Sequence, residues 1–136
     1  MSQQYICDRI ELQDLMLNYT AGVDERDRSR YVACFADDVE AVNFGTRIYR
    51  NRDTFVDYVW SALEKYSSSQ HLLGPQFATI DGDCATTRSD VQALHFFTSG
   101  EGRFTLWGTY HTNMRRFEGR WLISRHELRV CGTATV

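Results

Sequence analysis

His71 lies in SSSQHLLGP, residues 67–75, between a helical stretch and the first long strand pattern. Imidazole titrates closer to neutrality than any other side chain, so a histidine held at the mouth of a cavity can take or give a proton at working pH. A surface histidine at a strand start would do neither, and residue type alone does not separate the two. The other groups with chemistry to offer are Tyr19 and Asp24 near the end of the first helix, His95 in LHFF, Tyr110 and His111 in GTYHTN, and Arg88, Arg125 and Arg129. An aspartate that accepts from one ring nitrogen of a histidine fixes its tautomer, stabilises its protonated form and frees the other nitrogen to remove a proton. Asp24 and His71 are too far apart in sequence for spacing to pair them, and Asp24 also suits a helix N-cap.

Other chemistries lack their usual signatures. The four histidines fall on different segments without H-x-x-x-H, and Cys7, Cys34, Cys84 and Cys131 show no C-x-x-C, so no metal is expected. There is no G-x-S-x-G elbow, no P-loop and no G-x-G-x-x-G opening a helix. No cofactor is expected, and acid–base chemistry remains. The cysteines read as reduced packing residues, Cys34 and Cys84 as buried ones.

The elements that must position these groups follow from periodicity. Residues 4–23 form an amphipathic helix with Ile6, Ile10, Leu15, Met16 and Tyr19 on its buried face. After Gly22, a second short helix starts at Asp27 or Asp24, with Tyr31, Val32 and Phe35 inward. Ala36-Asp37-Asp38 reads as a turn, residues 39–44 and 47–50 as a short hairpin, and Asn51-Arg52-Asp53 as the cap of a third helix over 54–66 with Phe55, Val56, Val59, Trp60 and Leu63 inward. Beyond the serines the period changes to that of strands: 71–80, 84–97, 104–117 and 121–130, a four-strand meander. Tyr110 and His111 must point to opposite faces, and Tyr110 is the one expected to face the cavity. Three N-terminal helices over a long, curved antiparallel sheet is an α+β layout that leaves a conical cavity between the layers.

With 136 residues, 43% of them hydrophobic and 13% aromatic, the chain is expected to form one domain over residues 1–136. The formal net charge of -3 gives no electrostatic footprint for nucleic acid or an anionic membrane surface. The first residues carry acids and no long apolar run, so neither a signal peptide nor a membrane span is read, and a cytoplasmic protein is expected.

Five short features in this order and spacing, covering nearly the whole chain, carry a resemblance. They are Leu12, Asp14, Leu15 and Tyr19 on helix one; Tyr19-x-x-x-x-Asp24-x-Arg26-Asp27; Gln70-His71; Gly108-Thr109-Tyr110; and Glu118-Gly119-x-Trp121. The chain resembles the SnoaL-like, nuclear transport factor 2-like (cystatin-like) superfamily of cone-shaped domains, in the branch of scytalone dehydratase, bile acid 7α-dehydratase and hexachlorocyclohexane dehydrochlorinase. The resemblance implies that Asp24 pairs with His71 and that His71 is the base of an elimination. It places His95 where scytalone dehydratase has a second histidine, Tyr19 where the bile acid enzyme has its tyrosine, and Arg129 where the dehydrochlorinase has an arginine. The dehydrochlorinase's helix-one lysine is Tyr19 here, which weighs against dehalogenation. The expectation is therefore a cofactor-independent, dehydratase-like lyase with catalytic His71, Asp24, Tyr19, His95 and Arg129. Tyr110, Phe44 and Trp60 would hold a small, hydrophobic, cyclic or aromatic substrate. An isomerase or cyclase sharing the first proton transfer, and a non-catalytic binding module, are the alternatives. The resemblance also implies a homo-oligomer, a trimer rather than a dimer.

Overall fold

The computed structural model describes residues 1–136. Helix α1 (Gln3–Asp24) opens on Ser2, whose hydroxyl accepts from the Tyr5 backbone N–H at 3.1 Å. Its buried face is Leu12, Leu15, Met16, Tyr19 and Val23, spaced by threes and fours. Ile6 and Ile10, expected on that face, are 45% and 55% exposed. The buried residue in their stretch is Asp8, about 200° around the helix from each of them. It is paid for by ion pairing: its two oxygens accept from Arg116 at 3.0 and 3.1 Å, and one also accepts from the Trp121 indole at 3.3 Å. Hydrophobic periodicity cannot find a face that begins on a buried carboxylate.

Helix α2 (Arg28–Val32) is capped by Asp27 rather than Asp24, and turns Tyr31 into the core. Phe35 already belongs to strand β1 (Phe35–Phe44). The expected turn at residues 36–38 is part of this strand. Its register against the neighbouring strand shifts between Phe35 and Glu40, and Asp37 and Asp38 both face solvent, where they meet Arg52 at 2.8 Å and Arg115 at 3.2 Å. Strand β2 (Arg47–Tyr49) completes the hairpin through Gly45, whose φ of 74° and approach to the Tyr58 ring exclude a side chain. Helix α3 (Arg52–Leu63) is capped by Asn51, buries Phe55, Val56 and Leu63, and stops short of the expected residue 66, because Tyr66 opens the next strand.

The expected strand at 71–80 is two strands, β3 (Tyr66–Leu73) and β4 (Phe77–Asp81), laid end to end along β5 (Cys84–Phe97). Pro75, which has no backbone N–H, falls in the gap. The serines are therefore strand, and His71 sits inside β3 rather than at its start. Strands β6 (Arg103–Phe117) and β7 (Arg120–Thr135) complete a sheet of order β2-β1-β7-β6-β5-β3, with β4 on β5. All pairs are antiparallel except β1 with β7, which run parallel. Shifts in the β6–β7 register at Trp107/Gly108 and Asn113/Met114 accompany the bending. The result is a mixed α+β fold in which three helices lie against a curved, open, seven-stranded sheet, as expected. Cys84, expected buried, is exposed: alternation turns Ala85 inward instead. No helix is long and apolar enough to cross a membrane.

Candidate active site

Asp24 is the last residue of α1, and strand alternation turns Ser69 and His71 of β3 toward that helix end. The carboxylate meets three donors. One oxygen accepts from the His71 backbone N–H at 2.7 Å; the other meets the His71 ring Nδ1 at 2.8 Å and accepts from the Ser69 hydroxyl at 2.9 Å. A carboxylate offers only lone pairs, so Nδ1 carries the hydrogen, and in the neutral ring the lone pair is then on Nε2. No protein group bonds Nε2. Burial pushes the Asp24 carboxyl up, but the hydrogen bond and charge of His71, its backbone N–H and Ser69 outweigh this and hold it below the usual carboxylate range.

His71 borders a cavity of about 310 Å³ between the helices and the sheet. Fifteen of its twenty lining residues are hydrophobic, which puts it at the small end of sites that hold organic molecules, about 300–1,000 Å³. His95, facing it from β5, meets the His71 ring edge-on with centroids 5.6 Å apart. Its Nδ1 lies 3.3 Å from the Phe104 carbonyl, and burial, then the charge of His71, pushes its pKa down to about 4. His95 is thus neutral at pH 7, and with Nδ1–H turned to a carbonyl its Nε2 is an acceptor. Tyr19 and Tyr110 pack edge-on at 5.5 Å, both buried. Burial raises both phenols, Tyr110 to about 12 and Tyr19 well above its ordinary value, so both stay protonated and able to donate. No three His, Cys, Asp or Glu side chains form a cluster that could hold a metal ion.

The SnoaL-like domain family matches residues 4–127. The chain belongs to this family. Among solved structures it is similar to a candidate scytalone dehydratase of Novosphingobium aromaticivorans, at 21% identity over 98% of this chain and 91% of that one, with a TM-score of 0.91. It is also similar to hexachlorocyclohexane dehydrochlorinase LinA-type3 of Novosphingobium barchaimii, at 21% identity over 97% and 92%, TM-score 0.87. A protein of Nostoc punctiforme with a cystatin-like fold aligns at 18% identity over 91% of each chain, TM-score 0.76. No match was found among curated proteins.

In this SnoaL-like domain the expected site residues divide. His71, His95, Tyr19, Tyr110 and Phe44 share the cavity wall, with Asp24 behind His71. Two stand apart. Trp60 was expected against substrate, yet its ring packs on Tyr31 at 5.3 Å with Arg28 over it at 5.5 Å, off the cavity wall, because the α3 stripe facing inward is Phe55, Val59 and Leu63. Arg129 was expected among the catalytic residues, but Leu128 and Val130 face the cavity, so alternation sends Arg129 outward to Glu127 at 2.9 Å, with 59% of its side chain exposed. Three residues at the site escaped the sequence reading. Ser69 could have been found from its position two before His71 in a strand. Tyr31, read as core, also borders the cavity. His126, completely buried behind Phe44, Tyr19 and Tyr110, left no signal beyond its alternation with Leu128.

Proposed function

We propose that the protein is a cofactor-independent lyase, dehydratase-like, acting on a small cyclic or aromatic substrate of hydrophobic character. The observation that carries this is the His71 ring, held through Nδ1 by Asp24 at 2.8 Å with its Nε2 unbonded at an apolar cavity. Nε2 takes a proton from the carbon beside a substrate carbonyl, and Asp24 stabilises the imidazolium that forms. The electron pair moves toward the carbonyl oxygen, where the Tyr19 or Tyr110 phenol donates a hydrogen bond to the growing negative charge. The pair then returns to form a C=C bond as the C–O bond to a hydroxyl on the next carbon breaks. The imidazolium gives its proton to the departing hydroxyl, so the products are an unsaturated ketone and water, and His71 ends neutral. His95, neutral with an acceptor nitrogen, suits a hydrogen bond from the substrate hydroxyl. The similarity to structures of a candidate dehydratase and a dehydrochlorinase supports an elimination rather than another use of the same proton transfer.

The same reading places the protein in the cytoplasm, consistent with four free cysteines. It also takes the chain as one domain and favours a trimer. Support for self-association comes from Leu72, Phe96 and Trp107, apolar and 41–51% exposed on the outer sheet face.

The test is turnover of a panel of β-hydroxy cyclic ketones, from hydroxytetralones to hydroxysteroids, followed by the absorbance of the enone formed. Wild type should act on a member of the panel, and His71→Ala should lose roughly 10²–10⁴-fold in kcat. If His71→Ala keeps its rate within a few-fold, His71 is not the base. Tight binding of panel members with no conversion would instead indicate a ligand carrier.

A further inference from the structure

The chain leaves α1 through Arg26, which has a φ of 56°, a left-handed conformation that residues with a Cβ seldom adopt and glycine adopts freely. Its backbone N–H donates to the Val23 carbonyl at 3.1 Å, closing the helix. A turn needing only that would favour glycine or asparagine. The arginine side chain does more. Its Nη1 donates to the same Val23 carbonyl at 2.6 Å and to the Ser69 hydroxyl at 2.9 Å, across 43 residues of sequence. Ser69 in turn donates to the Asp24 oxygen that holds His71 Nδ1. A serine hydroxyl has one proton, and a guanidinium can only donate. With Arg26 occupying a lone pair, the Ser69 proton is directed to the carboxylate, giving an unbroken line of hydrogen bonds from Arg26 through Ser69 and Asp24 to His71.

We propose that Arg26 and Ser69 are positioning residues for the Asp24–His71 pair, with the guanidinium orienting the Ser69 hydroxyl and Ser69 fixing the carboxylate oxygen that holds the ring. Neither residue touches the cavity. Their effect reaches substrate only through the orientation of His71, so the inference rests on the reading of Asp24–His71 as the working pair. Arg26 acts from behind: its guanidinium is half-buried, with Nη2 enclosed and unbonded, and its charge is among those that disfavour protonation of His95.

A test separates this role from simple helix closure without needing a substrate. In ¹⁵N-labelled protein, exchange of the His71 Nδ1 hydrogen with water reports how firmly Asp24 holds the ring. Arg26→Gly relieves the backbone while removing the guanidinium, Arg26→Lys keeps a charge, Ser69→Ala removes the hydroxyl and Ser69→Thr keeps it. The expected result is exchange about tenfold faster in Arg26→Gly and Ser69→Ala, as for loss of one net hydrogen bond, with unchanged amide spectra elsewhere. Ser69→Thr should restore slow exchange and Arg26→Lys partly so. Wild-type exchange in both Arg26→Gly and Ser69→Ala overturns the proposal, provided Asp24→Asn measured alongside speeds it. If Asp24→Asn has no effect either, the Asp24–His71 pairing itself fails, and the proposal with it. Should Arg26→Gly disturb the fold, Ser69→Ala decides alone.

Discussion

Two histidines, one bordering the cavity and one buried behind its wall, make opposite use of the same ring. His71 gives its Nδ1–H to a carboxylate at 2.8 Å and turns Nε2 to the cavity. His126, on β7, is fully buried, meets only the Thr112 hydroxyl at 2.9 Å through Nδ1, and has an enclosed Nε2 without a partner. Its ring is stacked on Phe44 and edged by Tyr19, and burial alone pushes its pKa down to about 3. The imidazole chemistry is identical. What differs is the counter-charge: a proton arriving at His71 meets Asp24, whereas one arriving at His126 meets aromatic rings and a hydroxyl.

Four expectations test that contrast. The largest concerns turnover. Asp24→Asn keeps the shape but removes the charge and the preference for the Nδ1–H tautomer, so kcat on a β-hydroxy cyclic ketone should fall by roughly 10²–10⁴-fold, with no comparable loss in His126→Gln. Equal losses in the two variants would erase the distinction between the histidines.

The second concerns acid stability. The folded pKa of His126, about 3, lies below the ordinary histidine value near 6.5, so as pH falls the unfolded chain binds the proton first. Its contribution is complete above about pH 6.5 and is lost progressively toward pH 3, amounting to about 3 kcal/mol between pH 6.5 and pH 4. Asp24, held low, also loses stability in acid, but only below the ordinary carboxylate range. Urea denaturation of His126→Gln should therefore show a flatter dependence between pH 6.5 and 4 than wild type. An identical slope would mean that His126 takes up its proton in the folded state.

Third, Tyr110→Phe removes a buried donor while keeping the ring, and should reduce kcat about tenfold with a modest change in melting temperature. Unchanged kcat would leave Tyr19 as the sole phenol acting on the carbonyl. Smallest is Arg129→Ala: a side chain paired with Glu127 on the outer face should alter kcat/KM by no more than about twofold. A loss of a hundredfold would bring Arg129 back to the site, for instance across an interface between copies.

How far this was legible in the sequence depends on whether the deciding interaction was local. The long β5 and β6 were readable from period two, as was the placement of Tyr110 and His111 on opposite faces. Helices α1 and α3 were readable from threes and fours, but the start of the α1 face was not, because Asp8 buries itself by pairing with Arg116 at the far end of β6. The bulged start of β1 looked like a turn because its aspartates look the same in either setting. At the site, only resemblance could suggest Asp24 for His71; no local rule joins a helix end to a strand 47 residues later. Arg129 and Trp60 were misplaced by one position of alternation and by the helix face, both fixed by packing.

The most direct test is the tautomer of the His71 ring, read from its ¹⁵N shifts at neutral pH in wild type and Asp24→Asn. Wild type should carry hydrogen on Nδ1 with Nε2 bare, and Asp24→Asn should shift the population toward hydrogen on Nε2. A wild-type ring protonated on Nε2, or the same Nδ1–H population in both proteins, would contradict a base oriented by Asp24.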